Sequence, residues 1–483
     1  MKRLNELIEC NYDVEIIGIV DDSRLVNAGY LFVATKGFNV DHYDYIDDAI
    51  ANGAVAIISD RDYKCSSSIP VIVVENINEQ FINLCKKFFD INLNDFKFIG
   101  ITGTDGKTTT ASIVRQILLS YVNIAYIGTN GVDVCDYHFD TSNTTPCIFE
   151  LYKCLSIIRE YNCYIVVMEV SSEALLHNRI DGILFDTIAF TNITEDHLNI
   201  HKSIENYRKT KFSLVNYLKN DGIIFTNFDD INCHKFSDNR IVTYGFSLDS
   251  DFTFFDVKYG ENYTKFDIKN NKTNLVDKII SPFLGSYNVY NVGLAYLIGL
   301  NFCNKNGLLI SAIKNLKPIT GRGERIEFGQ NYTIILDYAH TFNGISNIID
   351  SVSNCKRIIT VTGAAGGREK EKRSKIGKMV LEKSDIVIFT MDDPRYEDVN
   401  SIIDDMLSST TLKNFERIIS RENAIVCALK LANDGDVVLI LGKGRDNYMA
   451  IGDKKIPYSD YDVIEKYFNK WLNWVAFFFF LTR

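Results

Sequence analysis

A glycine-rich segment at residues 100–109, with the sequence GITGTDGKTT, constrains the fold of this chain more than any other feature. It follows a short apolar run and precedes a segment of helical periodicity, so it predicts a tight turn from a strand into a helix. Three glycines let the backbone wrap a phosphate chain, Lys107 can neutralise phosphate charge, and Thr108 can ligate Mg²⁺. Because Ile101 stands at the first glycine position of the usual phosphate-loop pattern, a plain glycine turn is the alternative.

The pattern of apolar runs and helical segments along the chain is that of an α/β protein. Residues 14–75 predict a small α/β unit, and the sequence from residue 98 onward predicts a mostly parallel sheet with helices on both faces. Residues 249–277 are polar, as in an antiparallel excursion at a sheet edge, and a third α/β stretch begins near residue 321. The predicted domains are residues 1–95, residues 96–322 with the phosphate loop, and residues 323–483, which are Rossmann-like.

Composition excludes several classes of protein. The 483 residues include 52 Lys and Arg against 62 Asp and Glu, a net charge of −10, which argues against nucleic acid as a partner. The 11 cysteines are scattered without a C-x-x-C pair, so we expect thiols in a reducing cytoplasm and no disulfide framework or zinc ribbon. The N-terminal sequence lacks the features of a secretory signal. The apolar tail at residues 471–483 is too short for a membrane span.

Two further groups of polar residues follow apolar strands. Glu169 ends the run YIVVMEV, where a magnesium ligand beside a phosphate loop would be needed, although a surface carboxylate is the alternative. His197 follows the run FDTIAFTNI, and His201 and the segment 207–211 come after it on a predicted helix. A single histidine is more often structural than a ligand. The recurrence of such groups after successive strands favours the functional interpretation.

Other motifs follow in a fixed order along the chain. They lie at residues 22–24, 31–34, 144–146, 207–211, 285–291, 321–324, 337–341, 363–373, 392–395 and 442–444. Together with the phosphate loop and the segments around Glu169 and His197, they resemble the Mur ligase family of cell-wall precursor enzymes. Within that family the resemblance is to the branch that adds the third amino acid of the stem peptide. It covers roughly residues 22–460 and leaves the apolar tail unexplained.

The resemblance implies an ATP-dependent, ADP-forming ligase. Such an enzyme phosphorylates a carboxylate of UDP-N-acetylmuramoyl-L-Ala-D-Glu to an acyl phosphate, which the amine of a free amino acid then attacks. The implied catalytic residues are Lys107, Glu169, His197 and Lys211. Thr108, Glu169, His197 and Lys211 would serve two Mg²⁺ ions, with Lys211 carrying a carbamate derived from CO₂. An ordinary solvated helix lysine is the alternative for Lys211.

The resemblance also implies a cytoplasmic monomer. It further implies which residues bind each of the three ligands. ATP would contact Gly103, Thr104, Gly106, Lys107, Thr108, Thr109, Asn291, Arg322 and Asp337. The UDP-dipeptide would contact Ser23, Thr144, Thr145, Ser171 and Arg179, which makes the N-terminal domain the UDP-sugar site. The amino acid would contact Arg368, Asp392, Asp393, Arg395, Gly442 and Asp446 in a mobile C-terminal domain. Because Asp337 ends an apolar strand, a helix N-cap is its alternative role.

The sequence departs from the family pattern at positions that bear on the acceptor amino acid. Members that add diaminopimelate have Asn where this chain has Asp393, and His-Glu where it has Arg445-Asp446. An arginine fork suits a carboxylate, so Arg395 and Arg368 favour diaminopimelate, while Asp393 and Asp446 would also suit the side-chain ammonium of lysine.

Three further departures leave open questions. Asp105 replaces the usual Asn and Glu173 the usual His, so both add acid near the phosphates, either to bind metal or to face away. Thr341 is followed by Phe-Asn in place of Pro-Asp.

Three rival functions use parts of the same pattern. Folylpolyglutamate synthetase shares the phosphate loop and an equivalent lysine, but it has no use for the unit around residues 22–24. An inactive nucleotide-binding partner would have lost Lys107, Thr108, Glu169 or Lys211, all of which are present. A motor ATPase is disfavoured because the sequence has a small N-terminal domain and no remote arginine-finger signature.

Overall fold

The computed structural model describes residues 1–36, 40–64 and 68–469. The apolar tail therefore lies outside the described residues. The chain forms two compact units: unit 1 comprises residues 1–193, 208–244 and 298–304, and unit 2 comprises residues 194–207, 245–297 and those from 305 onward. The described part of the chain contains no helix that is both long and apolar enough to cross a membrane.

The strands and helices alternate along most of the chain, as the sequence predicts. Strands β1–β25 are Lys2–Arg3, Glu15–Ile16, Gly18–Val20, Tyr30–Val33, Ala54–Ser59, Val71–Val73, Lys97–Thr102, Ile124–Gly128, Gly131–Val134, Tyr137–Phe139, Ile165–Glu169, Phe185–Phe190, Leu218–Asn227, Ile241–Gly245, Phe252–Tyr259, Thr264–Asn270, Val276–Ser281, Glu324–Ile326, Thr333–Asp337, Arg357–Thr362, Ile386–Phe389, Phe415–Arg417, Asp436–Leu441, Tyr448–Ile451 and Lys454–Pro457. Helices α1–α14 are Leu4–Leu7, Ile46–Ala51, Ile77–Phe89, Lys107–Leu119, Ile148–Glu160, Ser172–Leu176, Leu198–His201, Ile204–Phe212, Ser286–Phe302, Asn306–Lys314, Phe342–Asp350, Glu371–Lys383, Val399–Leu407 and Arg421–Leu431.

Unit 1 contains two parallel sheets. Near the N-terminus, β3, β4, β5 and β6 pair in that order, all parallel. The larger sheet runs β10-β9-β8-β11-β7-β12-β13-β14, and it is parallel from β8 to β14. Strand β7 lies between β11 and β12, so the loop that follows β7 has the ends of both neighbours beside it. This is the position at which open α/β sheets bind ligands.

Unit 2 contains an antiparallel meander and a second mostly parallel sheet. Strands β15, β16 and β17 form the meander, which confirms the antiparallel excursion predicted for residues 249–277. The other sheet has the order β18-β19-β23-β20-β21-β22, with only β18 antiparallel. The carboxyl ends of β19, β23, β20 and β21 therefore meet at one edge, where the predicted acceptor-binding motifs follow them.

Alternation of side chains explains why helices cover both faces of this second sheet. Ile335 and Leu439 belong to one apolar core cluster, whereas Leu336 and Ile440 belong to a second one. Successive residues of a strand point to opposite faces, so continuous apolar runs need cover on both sides. The mixed α/β fold with parallel-rich sheets confirms the predicted fold class.

A buried ion pair links α14 to the segment that follows the last strand of unit 2. Arg421 Nε and Nη2 donate to Asp460 Oδ1 and Oδ2 at 2.8 and 2.7 Å, and both side chains are fully buried. Arg421 Nη2 also donates to the Leu441 carbonyl at 2.9 Å. Paired geometry of this kind offsets the cost of burying two charges, whereas a single buried charge is strongly unfavourable.

We expect Asp460→Ala to lower the free energy of unfolding of unit 2 by about 3–5 kcal/mol, because it leaves the Arg421 guanidinium buried without its carboxylate. The matched control is Asp404→Ala, which removes the exposed partner of Arg417 and should cost less than about 1 kcal/mol. Urea unfolding of the full chain measures both changes. Equal losses in the two variants would contradict the interpretation.

Candidate active site

The phosphate-loop segment forms the predicted turn between β7 and α4. Gly106 has a φ of 84° and precedes the first residue of the helix. Gly103 has a φ of 151°, and a Cβ built there would lie 1.8 Å from Thr191 Oγ1. Lys107 Nζ donates to the carbonyls of Gly103 and Thr104, both at 2.8 Å. The lysine thus folds back over its own loop, at the N-terminal end of α4.

Two residues that follow β12 hold the loop from the other side. Asn192 Oδ1 accepts from the Asp105 backbone N–H at 2.9 Å, and Asn192 Nδ2 donates to the Asp105 carbonyl at 3.0 Å. Thr191 Oγ1 donates to the same carbonyl at 2.7 Å. The backbone of Asp105 is therefore fixed by side chains from the neighbouring strand end. Asn192 lies near the end of the run FDTIAFTNI, and no role was predicted for it.

Lys211 lies at the same loop, although it follows 104 residues after Lys107 in the chain. Its Nζ donates to the Gly103 carbonyl at 2.8 Å, and only 1% of the residue is exposed. The alternative of a solvated helix lysine is therefore wrong. Two lysine side chains, one of them buried, thus share one carbonyl acceptor.

Glu169 is fully buried at the end of β11, so the alternative of a surface carboxylate is also wrong. Its Oε2 accepts from Thr108 Oγ1 at 2.9 Å, which places it against the second residue of α4. Its Oε1 accepts from Tyr126 Oη at 2.6 Å and from the Thr129 backbone N–H at 2.9 Å. A Cβ at Gly128 would lie 2.2 Å from Glu169 Oε1, so only glycine fits beside this carboxylate.

Most residues predicted for the UDP-dipeptide converge on Glu169. Thr144 Oγ1 lies 3.1 Å from Thr129 Oγ1, which in turn is 3.3 Å from Glu169 Oε2. Thr145 Oγ1 donates to the Glu169 carbonyl at 2.8 Å and accepts from the Ser171 N–H at 3.0 Å.

Two other members of that predicted set lie at different points of unit 1. Arg179 Nη1 donates to the Thr145 carbonyl at 3.3 Å, so its guanidinium is tied to the same group. Ser23 is buried in a short 3₁₀ helix of the N-terminal part, where its carbonyl accepts from Asn52 Nδ2 at 2.9 Å.

The side-chain oxygen atoms of Glu169 and Thr108 suit a magnesium ion as ligands. Mg²⁺ prefers oxygen ligands, binds through one or two protein groups, and completes its shell with water and phosphate. Among the described residues, no group of three or more His, Cys, Asp and Glu side chains is arranged so that it could hold a metal ion by itself. A carboxylate beside the first turn of a phosphate-binding helix suits a metal that arrives with its nucleotide.

His197, the remaining predicted ligand, lies in unit 2 with a left-handed backbone (φ 53°). Its Nδ1 is 3.3 Å from Arg368 Nη1, and its Nε2 is 3.4 Å from Asp196 Oδ2. Burial alone would raise the pKa of Asp196, but His197, His340 and Lys372 around it lower that pKa well below its usual value. The structure therefore places His197 against an arginine predicted to bind the acceptor.

The predicted acceptor residues line a single cleft of about 310 Å³ in unit 2. They are Arg368, Asp392, Asp393, Arg395, Gly442 and Asp446, and Tyr338 and Tyr448 line it with them. A Cβ at Gly442 would lie 2.1 Å from Asp392 Oδ2, so only glycine fits beside this buried carboxylate. The sequence prediction that these six residues belong together agrees with this arrangement.

Lys443 bridges the two carboxylates that differ from the family pattern. Its Nζ donates to Asp393 Oδ1 at 2.8 Å and to Asp446 Oδ2 at 3.1 Å. Burial alone would lower the pKa of Lys443, but Asp392, Asp446 and Asp393 raise it above its usual value. Asp393 also accepts from the Ala450 N–H at 2.9 Å. The Asp393 carboxylate thus already has hydrogen-bond partners within the protein.

Three of the residues predicted for the nucleotide, Asn291, Arg322 and Asp337, lie in unit 2, whereas the six in the phosphate loop lie in unit 1. Asp337 accepts from the Gly323 and Ala339 N–H groups at 2.5 and 2.6 Å. Its alternative role as a helix N-cap is wrong, because Thr341 Oγ1 caps α11 by accepting from Gly344. Arg322 stacks over the Tyr338 ring and lines a pocket of about 130 Å³, while Asn291 is buried in α9.

The structure clarifies one of the open departures. Glu173 is the second residue of the short helix α6, whose N-cap is Ser171. The helix dipole stabilises a carboxylate in the first turn, and this accounts for an acidic residue here without any role in metal binding. Thr341 keeps its capping role although Phe and Asn follow it.

Comparisons with known proteins agree with these motifs. Three family models match: the Mur ligase family catalytic domain at residues 14–87, the Mur ligase middle domain at residues 101–299, and the Mur ligase glutamate ligase domain at residues 321–444. A UDP-N-acetylmuramoyl-L-alanyl-D-glutamate–2,6-diaminopimelate ligase of Bacillus cereus is 34% identical, covering 96% of this chain and 98% of that protein.

Two further matches extend this comparison. A Fusobacterium nucleatum protein of the same name is 33% identical, covering 95% of each chain. A solved structure of a ligase with that name covers 97% of this chain and 99% of its own at 24% identity, with a TM-score of 0.63, and shows the same fold.

We expect Tyr126→Phe to lower the free energy of unfolding by about 1–3 kcal/mol, since it deprives the buried Glu169 carboxylate of a hydrogen bond. Tyr152→Phe is the matched control in the same unit, because the Tyr152 hydroxyl is buried without a hydrogen-bond partner among the described residues. The control should be neutral or stabilising. Chemical unfolding of both variants measures the difference, and a neutral Tyr126→Phe would refute the role given to this hydroxyl.

Proposed function

Because the chain belongs to the Mur ligase family, we propose that it joins an amino acid to UDP-N-acetylmuramoyl-L-Ala-D-Glu at the expense of ATP. One observation carries the proposal: Glu169 contacts both Thr108 of the phosphate loop and Thr145, and it is linked through Thr129 to Thr144. Thr144 and Thr145 are the threonines predicted for the UDP-dipeptide. A nucleotide on the loop would then have its terminal phosphate close to a carboxylate of the bound dipeptide.

Phosphoryl transfer to that carboxylate breaks the bond between the β- and γ-phosphates and forms an acyl phosphate and ADP. The amine of the acceptor then attacks the acyl carbon, and phosphate leaves as the amide forms. Lys107 and the N–H groups at the start of α4 bind and orient the phosphates, and the charge they supply favours the transfer. Closure of the C-terminal domain would keep water from the acyl phosphate.

Mg²⁺ would be held by Glu169 and the Thr108 hydroxyl; His197 and a carbamylated Lys211 are the other predicted metal ligands. The ion neutralises phosphate charge when bound. Thr108 and Glu169 are already in contact, so their geometry is set before the nucleotide binds. Asn291, Arg322 and Asp337 would contact the nucleotide base and ribose.

Lys211 is proposed to carry a carbamate. An uncharged amine adds to CO₂, forming a carbamate and releasing a proton, and burial beside a second ammonium disfavours the charged form of an amine. Lys211 is almost fully buried, and it shares the Gly103 carbonyl with Lys107. A negative carbamate at this place would pair with Lys107 and supply oxygen ligands for a metal.

For Lys211→Arg we expect a loss of about 100-fold or more in kcat, because a guanidinium cannot take up CO₂. The protein incubated with ¹³C-bicarbonate should show a carbamate carbon resonance that this variant lacks. Lys209→Arg, at an exposed position of the same helix, is the control and should keep both the resonance and the activity. A wild-type protein without the resonance would remove the basis for the carbamate.

The proposed acceptor is meso-diaminopimelate. Arg368 and Arg395 in the acceptor cleft are suited to the carboxylate at the far end of this amino acid. Asp393, which could have served the ammonium of lysine, is held by Lys443 and by the Ala450 N–H instead. The relatives described above carry diaminopimelate in their names.

The domain boundaries remain those predicted, at residues 1–95, 96–322 and 323–483, with the UDP sugar on the first. A uridine-nucleotide site there distinguishes the proposal from a folylpolyglutamate synthetase. We place the enzyme in the cytoplasm, because its proposed substrates are ATP, a nucleotide sugar and a free amino acid. A monomer is proposed on the resemblance to the family alone.

Phosphate release from ATP tests the proposal directly. With UDP-N-acetylmuramoyl-L-Ala-D-Glu present, we expect release to require meso-diaminopimelate and to be much weaker with L-lysine or L-ornithine. Arg395→Ala should lower kcat/KM for diaminopimelate about 10- to 100-fold and leave the KM for the UDP-dipeptide unchanged. Turnover with glutamate and a folate instead would show that the scaffold is right and the substrate wrong.

A further inference from the structure

The backbone around His197 needs support from elsewhere in the chain. His197 has left-handed φ and ψ angles of 53° and 28°, which a non-glycine residue keeps only when its surroundings enforce them. It is the N-cap of α7, a helix of four residues, and its side chain makes no capping hydrogen bond. The first N–H groups of a helix have no partner within the helix, so another group has to accept them.

Glu369 supplies that acceptor from a segment 170 residues later in the chain. Its Oε1 accepts from the backbone N–H of Leu198, and from that of Asn199 at 3.2 Å. Lys372 Nζ lies 2.5 Å from Glu369 Oε2 and 3.1 Å from Asp196 Oδ1, so it ties the carboxylate to the residue before His197. The carboxylate is only 15% exposed, which strengthens each of these contacts.

Arg368, the residue before Glu369, contacts the imidazole of His197. Arg368 Nη1 lies 3.3 Å from His197 Nδ1, and both residues line the acceptor cleft. Glu369 thus fixes the backbone of His197, and the residue before it in the chain touches the side chain of His197. Three side chains hold residues 196–199 and 368–372 together: the Arg368 guanidinium, the Glu369 carboxylate and the Lys372 ammonium.

We propose that Glu369 is a positioning residue that sets the backbone of residues 197–199 and so holds His197 in register with Arg368. The roles of those two residues rest on the proposed function, whereas the anchoring of the backbone does not. Because Arg368 is expected to bind the acceptor carboxylate, the anchor couples acceptor binding to the placement of His197. Such coupling is reciprocal, so ligands of His197 and of Arg368 influence each other's affinity.

Hydrogen exchange measured by mass spectrometry on the full chain tests the anchor without any turnover. In Glu369→Ala the amides of Leu198 and Asn199 should exchange about tenfold faster or more, because two hydrogen bonds to a charged acceptor are lost. Glu371→Ala is the matched control, since Glu371 is the exposed first residue of α12, two positions after Glu369. It should leave exchange at residues 196–201 unchanged.

Steady-state kinetics separate positioning from a purely structural contact. Glu369→Ala should lower kcat at least about tenfold and raise the KM for the amino acid, with the KM for the UDP-dipeptide within twofold of the wild type. Glu369→Gln should recover part of kcat, because its amide oxygen still accepts from both N–H groups. Lys372→Met, which keeps the cap and removes the ion pairs, should show a smaller loss than Glu369→Ala.

The outcomes distinguish the two proposals. Faster exchange with unchanged kcat and KM would overturn the positioning role and leave a structural cap. Unchanged exchange in Glu369→Ala would overturn the anchor itself. If the wild-type protein shows no phosphate release that depends on an amino acid, the proposed function fails, while the exchange experiment still decides whether Glu369 anchors the His197 segment.

Discussion

The carbonyl of Gly103 is the point on which the arrangement of the candidate active site depends. It accepts from Lys107 and from Lys211, so one backbone oxygen sets the position of two cationic side chains from distant parts of the chain. The geometry requires glycine, since a Cβ would collide with Thr191. Thr191 and Asn192 in turn fix the next residues of the loop. Strand order makes this possible, because β12 lies directly beside β7.

Much of this could be predicted from the sequence, because the signals are local. The phosphate loop is a continuous stretch, and Glu169 and Asp337 each end an apolar run, so their positions at strand ends follow from chain order. The roles of Tyr126, Thr129 and Asn192 could not be predicted in the same way. Each depends on which strands are neighbours, and nothing near these residues in sequence indicates that β8 and β12 flank the strands that carry the loop and Glu169.

The acceptor cleft shows a second limit of sequence reasoning, which concerns charge. Asp393 and Asp446 appear in the sequence as two carboxylates available to a ligand ammonium. In the structure a buried lysine three residues before Asp446 bridges them, so the protein supplies the cation itself. The sequence contains Lys443 but does not reveal that its side chain turns inward. Burial decides this, and burial is a property of the packed sheet edge.

A site assembled in this way is organised before any substrate binds. Lys107 and Lys211 already have carbonyl partners, and the Glu169 carboxylate already has four donors. A phosphate that binds to the loop therefore replaces one acceptor of Lys107 by another and does not have to order a mobile side chain. Since ordering long side chains opposes binding, this exchange keeps more of the interaction energy for the transition state. This organisation lowers the stability of the fold, because folding has to bury these charged groups with only protein groups as their partners.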